Sequence, residues 1–245
     1  AHGYLALFNN QGGVQNTAVG HRAMFSNVSG GGNTAIGYLA LANNQNGGFN
    51  VAVGYGADIN PASLTNVIAI GVNTTVTASG IARFGNTGTT SYGGWAGWSN
   101  LSDGRFKKNI QQNVPGLDFI NKLRPVTYTL DATGLDAFYH KNDKNKSLLS
   151  NEFKNAFETA LQEKEKITYT GFIAQEVEAT ARQLGFDFSG VDAAKNENDT
   201  YGLRYAEFVV PLVKAVQEQQ AMIDALQKQN ELLLKRMELI EKKNK

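Results

Sequence analysis

Glycine recurs every 17 residues through the start of this chain, at Gly3, Gly20, Gly37, Gly54 and Gly71. The sequence around those glycines repeats as well. Asn16–Gly20 reads Asn-Thr-Ala-Val-Gly, Asn33–Gly37 reads Asn-Thr-Ala-Ile-Gly and Asn50–Gly54 reads Asn-Val-Ala-Val-Gly, with a weaker Ala-Ile-Gly ending at Gly71. Alanine stands three residues after the glycine at Ala6, Ala23, Ala40 and Ala57. A short fixed period leaves few folds open: it marks a solenoid, in which each unit buries its apolar face against its neighbours. The unit is too short for a helical hairpin, and Ala-Val-Gly alternation suits a short strand ended by a glycine turn. Ser29-Gly30-Gly31-Gly32 and Asn46-Gly47-Gly48 are predicted to supply positive-φ turns. A Gly/Asn-rich linker is the competing reading, and strict registration argues against disorder. One coil of this size has little side-chain volume for a core and leaves strand edges open, problems that three chains wound together would solve.

Asn-Thr-Ala-Val-Gly-x-x-Ala resembles the head repeat of trimeric autotransporter adhesins over roughly residues 1–75. That resemblance implies a left-handed parallel β-roll that assembles as a homotrimer. Ala82-Arg83-Phe84-Gly85 reads as a last degenerate strand. Trp95 and Trp98 lie in the flexible stretch Gly93–Trp98, where they either plug a seam between domains or offer an aromatic platform for sugars; the plug is favoured.

Composition changes abruptly near residue 100. Arg22, Asp58 and Arg83 are the only charged residues up to Asn100, whereas the remainder is densely charged with both signs. Such a shift marks a domain boundary. The expected division is β-roll repeats over 1–80, a Gly/Trp-rich connector over 81–101, and a second domain over 102–245 ending in a helix over about 205–243.

Net charge is +1, so nothing in the charge balance calls for nucleic acid or an anionic membrane as a partner. There is no cysteine, which excludes disulfides, thiolate zinc sites and cysteine nucleophiles. His2, His21 and His140 are far apart in sequence, and neither a metal nor a cofactor is expected. No apolar run approaches the ~20 residues needed to span a bilayer. The chain opens inside a repeat and reads as a piece of a longer protein, so a missing leader carries no information about compartment.

The junction reads Ser102-Asp103-Gly104-Arg105-Phe106-Lys107-Lys108-Asn109-Ile110. A lysine can activate a serine when burial lowers its pKa, but a capped turn with solvated basic residues fits the spacing equally. The wider context adds a resemblance. Ser102-Asp103-x-Arg105-x-Lys107-x-Asn109-Ile110 is similar to the opening motif of the endosialidase-type intramolecular chaperone domain. Leu117–Tyr128, Gly171-Phe172-Ile173-Ala174-Gln175-Glu176-Val177 and Leu203–Glu218 come next, in that family's order. The family ends phage tailspikes and fibres, bacterial surface proteins and the myelin regulatory factor.

The resemblance implies an α+β domain in which Ser102 is the nucleophile and Lys107 the general base, cutting between Leu101 and Ser102. Lys108 does not match the family's offset. Asp103, Arg105, Gln175 and Glu176 are supporting motif residues, the first two with positioning roles. The function implied is a chaperone that trimerises a fibre or adhesin and releases itself by autoproteolysis; the alternative is a trimeric tip that stays uncut. Its partner would be itself, with a host glycan or surface receptor for the head. Its place would be a phage tail fibre or a bacterial surface.

Leu149, Phe153, Phe157 and Leu161 follow a helical period and predict an amphipathic helix. Gln175 and Glu176 read as a helix start, and Asn196–Asp199 as a solvated polar loop. From Tyr205 apolar residues step by alternating four and three through Val209, Leu212, Val216, Ile223, Leu226, Leu233, Met237 and Ile240. Gln219 and Asn230 are the polar seam positions. The choice of core residues suggests two strands, against the three implied by both resemblances. A DNA-binding role for Lys242, Lys243 and Lys245 lacks a flanking basic stripe.

Overall fold

The 17-residue period becomes a parallel β-solenoid of about four turns. In the computed structural model, which describes residues 1–141, 148 and 150–243, β1 (Thr17–Val19), β2 (Thr34–Ile36), β3 (Val51–Val53) and β5 (Ile68–Ile70) stack in one parallel sheet. Equivalent repeat residues pair directly, Ala18 with Ala35 and Ala35 with Ala52. The expected strand forms at β7 (Ala82–Phe84), where Ile68 pairs with Ala82, so the last turn is 14 residues long. A second strand pair, β4 (Asp58–Ile59) with β6 (Thr75–Val76), runs parallel beside it.

β1, β2, β3 and β5 each bury their central alanine and turn the flanking residues outward. The alanines that follow the repeat glycines, with Met24, Leu41 and Val67, fill the narrow interior. Polar groups inside the coil are matched turn by turn. The Asn33 amide N–H donates to Asn16 Oδ1 at 2.9 Å and that of Asn50 to Asn33 Oδ1 at 2.9 Å. In a second ladder Asn27 Nδ2 donates to Asn10 Oδ1 and Asn44 Nδ2 to Asn27 Oδ1, at 2.7 and 2.8 Å. That ladder stops at Asn44, whose Oδ1 has no partner, because one period onward stands Pro61. Asn27 also donates to the Gly30 carbonyl at 3.0 Å. Asn27→Ala removes these three hydrogen bonds, although the Gly30 carbonyl keeps Asn16 Nδ2 and Asn44 Nδ2 keeps the Gly47 carbonyl. It is expected to lower stability by about 2–4 kcal/mol in denaturant unfolding.

The glycine-rich links are corrected in one respect: among Gly30, Gly31, Gly32, Gly47 and Gly48 only Gly32 has positive φ. Gly30 and Gly47 are required for a different reason. A Cβ on Gly30 would stand 2.2 Å from the Gly47 carbonyl oxygen, so successive turns approach too closely for a side chain.

Tyr4, His21, Tyr38 and Tyr55 stack one above another on the outside of successive turns, with ring centroids 5.3, 5.2 and 4.9 Å apart.

Two compact units emerge, interleaved in sequence. The first comprises Ala1–Gly97 with Thr127–Thr170 and Ala194–Thr200; the second comprises Trp98–Val126, Gly171–Ala193 and Tyr201–Lys245. In the first, β8 (Val126–Thr129) pairs with β9 (Thr168–Gly171), and between them lie α2 (Ala132–Tyr139) and α3 (Asn151–Glu165). The predicted amphipathic helix is α3; Leu149 lies outside the described residues. Phe153 extends the aromatic column, 5.1 Å from Tyr55, and Phe157 is next at 5.6 Å. Tyr38 Oη donates to the Leu148 carbonyl and Lys164 Nζ to that of Thr89, at 3.0 and 2.7 Å. Burial lowers the Lys164 pKa.

Buried polar contacts fix these segments to the coil. Thr75 Oγ1 lies 2.9 Å from His140 Nε2, and Thr87 Oγ1 donates to Asp136 Oδ1 at 2.9 Å. Thr77 Oγ1 donates to Asp199 Oδ1 at 2.7 Å, while Asn196 Nδ2 donates to the Thr77 carbonyl at 2.8 Å. Asn196–Asp199 is thus corrected from a solvated loop: Asn198 and Asp199 are buried. Burial pushes the Asp199 carboxyl up, but the Thr77 hydroxyl and the Lys195 and Thr200 amides outweigh it and hold the group below its usual range.

In the second unit α1 (Leu117–Ile120), α4 (Ala174–Gln183), the strand pair β10 (Val191–Asp192) with β11 (Gly202–Leu203), and the start of α5 (Val209–Lys243) surround one apolar core. Phe119, Val177, Ala181, Phe188 and Phe208 form it. The terminal helical segment opens at Tyr205–Phe208 as a 3₁₀ turn and runs on without a break into α5. Pro211 then falls in the first turn of α5, where its missing N–H leaves no helical bond unmade. At ~1.5 Å per residue α5 is about 52 Å long. Beyond Ala215 the described residues of α5 are not buried, and its apolar seam faces solvent.

Candidate functional site

The Ser102–Lys107 pair is built by a single turn of chain. Gly104–Phe106 forms a 3₁₀ turn with Asp103 at its N-cap, where Asp103 Oδ1 accepts from the Arg105 N–H at 2.9 Å. The Arg105 guanidinium grips the same carboxylate, Nη2 to Oδ2 at 2.6 Å, which holds the Asp103 pKa below its ordinary value. Lys107 closes the turn by donating its N–H to the Gly104 carbonyl at 3.2 Å. One tight turn therefore folds a lysine five residues on back over the serine. Lys107 Nζ lies 2.8 Å from Ser102 Oγ. Asp103 and Arg105 touch neither reacting atom; they shape the turn that brings the two together.

As an ammonium, Lys107 donates to the serine oxygen. The chemistry of a dyad needs the reverse, a neutral amine accepting the hydroxyl proton while Oγ attacks the carbonyl before it. The 2.8 Å separation serves either direction. Both side chains are exposed in a single chain, and so is the apolar sequence around them: Leu101 is 85% and Phe106 72% exposed. Trp95 and Trp98 are exposed as well, at 108% and 93%. The stretch Tyr92–Ile110 has no regular strand or α-helix to bury them.

Gln175 and Glu176 open α4 as the sequence indicates, and no hydrogen bond joins either to the Ser102–Lys107 pair. Glu176 instead takes a bidentate contact from Arg124, at 2.5 and 3.1 Å, which lowers the carboxyl pKa. This pair joins the Leu-Arg-Pro and Gly-Phe-Ile-Ala-Gln-Glu-Val motifs. Two more contacts tie in the last motif. The Phe172 N–H donates to Tyr205 Oη at 3.1 Å, and the Leu117 N–H donates to Glu218 Oε2 at 2.8 Å, where α1 has no cap of its own. Segments far apart in sequence thus become one scaffold. The spacing of Arg124 and Glu218 carries no signal that would have identified these contacts.

A cleft of 230 Å³ in the first unit is lined by Asn43, Asp58, Asn60, Tyr139 and His140 and includes neither Ser102 nor Lys107. Among the described residues no cluster of three or more His, Asp or Glu is arranged to hold a metal, and no helix is long and apolar enough to cross a membrane.

Residues 102–186 match the family model described as chaperone of endosialidase. The match starts at Ser102 and takes in Lys107, the Leu117–Tyr128 motif and Gly171–Val177. No curated protein and no solved structure is similar enough to match.

Proposed function

We propose, from the endosialidase-chaperone match over residues 102–186, that the C-terminal part of this chain trimerises the fibre or adhesin it ends. It then cuts itself between Leu101 and Ser102, with Ser102 as nucleophile and Lys107 as base. Lys107 takes the Ser102 hydroxyl proton as Oγ attacks the Leu101 carbonyl. The C–N bond breaks to leave Ser102 with a free amine and an ester to Leu101, and water hydrolyses that ester. The observation that carries the reading is the 2.8 Å approach of Lys107 Nζ to Ser102 Oγ at the first residue of the matched segment. A lysine in water holds its proton at neutral pH. The base must therefore be desolvated by something outside a single chain, and the exposed apolar residues Leu101, Phe106 and Ile110 beside it suit burial between copies. Cleavage would then report that assembly has succeeded.

Two further apolar surfaces favour assembly. Val19, Ile36, Val53, Ile70 and Phe84 form an outward column along the sheet, one per turn. The seam of α5 is the second. A Leu226→Asp, Leu233→Asp double variant is expected to lower the oligomeric state, read by sedimentation equilibrium. Such a particle belongs on a phage tail or a bacterial surface, and its head repeats are available to a receptor.

Intact-mass spectrometry of the purified chain tests the cut: two fragments meeting at Leu101/Ser102 support it. A trimer of uncut chains favours the second reading, a purely structural tip, for which the exposure of Lys107 in a single chain speaks.

A further inference from the structure

We infer that cutting between Leu101 and Ser102 does not by itself separate the products: the fragment starting at Ser102 stays docked on the solenoid. Parting then requires a second event that opens the dock. Such docking presupposes the proposed cleavage and determines the fate of its two products.

Thr127–Thr170 and Ala194–Thr200 lie beyond the cut, yet they fold with Ala1–Gly97 as one unit. The hold is chemical as well as topological. The solenoid carries almost no charge, and three of its hydroxyls meet side chains from the far side of the cut. Thr75 meets His140, Thr77 meets Asp199 and Thr87 meets Asp136, at 2.9, 2.7 and 2.9 Å. All six residues are buried, none more than 9% exposed. The peptide bond at issue lies in an exposed stretch and takes part in none of these contacts, so breaking it leaves each of them intact.

Two separate segments dock, and the fragment's own chain links them. When one lets go, the other keeps it close, and rebinding outruns escape. Each segment carries its own buried hydroxyl-to-carboxylate bond, Thr87 to Asp136 in one and Thr77 to Asp199 in the other, so the fragment escapes only when both segments are open at once.

The test does not depend on self-cleavage. A recognition sequence for a site-specific protease replaces Gly93–Gly97 in the full-length chain carrying Ser102→Ala, and the purified protein is nicked there. Native size-exclusion chromatography with denaturing gels of each fraction is expected to show both fragments in one peak. Thr77→Val with Thr87→Val, added to the same chain and checked for parental circular dichroism, is expected to speed separation by about 100-fold. Fragments of the parent that elute apart in native buffer would overturn the inference. So would a double variant that holds together as long as the parent. Failure of the wild-type chain to cut itself would count against the proposed cleavage and leave this assay intact.

Discussion

The Ser102→Ala chain stays a single polypeptide while the wild type divides at Leu101/Ser102; that is the result expected from intact-mass spectrometry of the two proteins. Ser102 is exposed and its side chain bonds only Lys107, so the substitution removes the nucleophile with little effect on folding. Lys107→Ala keeps the nucleophile but removes its base, and the rate is expected to fall by about 10²–10⁴-fold. Lys107→Arg should be no better, because a guanidinium does not give up its proton in a protein. Lys108→Ala should cut at the parental rate. Cleavage of Lys107→Ala at the wild-type rate would sink the dyad. Dilution gives an independent check: if assembly desolvates the base, cutting slows as the concentration falls during refolding.

Gly37→Ala is expected to cost about 3 kcal/mol or more per chain, read as a lower denaturant midpoint of the solenoid. Two causes act together. The residue sits at φ 134°, where an L side chain is strained, and its Cβ would stand 2.3 Å from the Gly54 carbonyl oxygen. Neither atom can yield easily, since the Cβ is held rigidly by its Cα and the carbonyl oxygen is backbone, and both stretches of chain are fixed by the pairing of adjacent turns. Gly12→Ala is the control: its added methyl meets nothing within 4 Å, and stability should barely change. A Gly37→Ala chain as stable as the parent would mean that the turns are less tightly stacked than this geometry requires.

Legibility in the sequence divides along a physical line. The strands ending at Gly20, Gly37, Gly54 and Gly71 are legible because a solenoid repeats its contacts at one separation, and repetition is visible without a structure. The seam of α5 is legible for the same reason. The dock is not: Thr75 meets His140 65 residues away and Thr77 meets Asp199 122 away, pairings that no period announces. Asn196–Asp199 therefore passes for a solvated loop. Gly30 and Gly47 are open to misreading because composition does not distinguish a glycine chosen for φ from one chosen for closeness. At the candidate site, Ser102 and Lys107 come from motif order, whereas the turn that joins them depends on Asp103 as a cap.

The registered asparagine ladders and stacked rings make the solenoid extensible in whole steps. A duplicated 17-residue unit placed between Gly37 and Gly54 would present the same donors and acceptors at both ends. It would lengthen the head by about 4.8 Å, the spacing of paired strands. Thr75, Thr77 and Thr87 all lie downstream of that point, and a duplicated copy of Tyr38 would stand next to Tyr55 as the original does, ready to meet Leu148 in its place, so such an insertion leaves the docked contacts in place. Head length and the fastening of the C-terminal part are therefore separable variables in this chain, and one can be varied by gene duplication without redesigning the other.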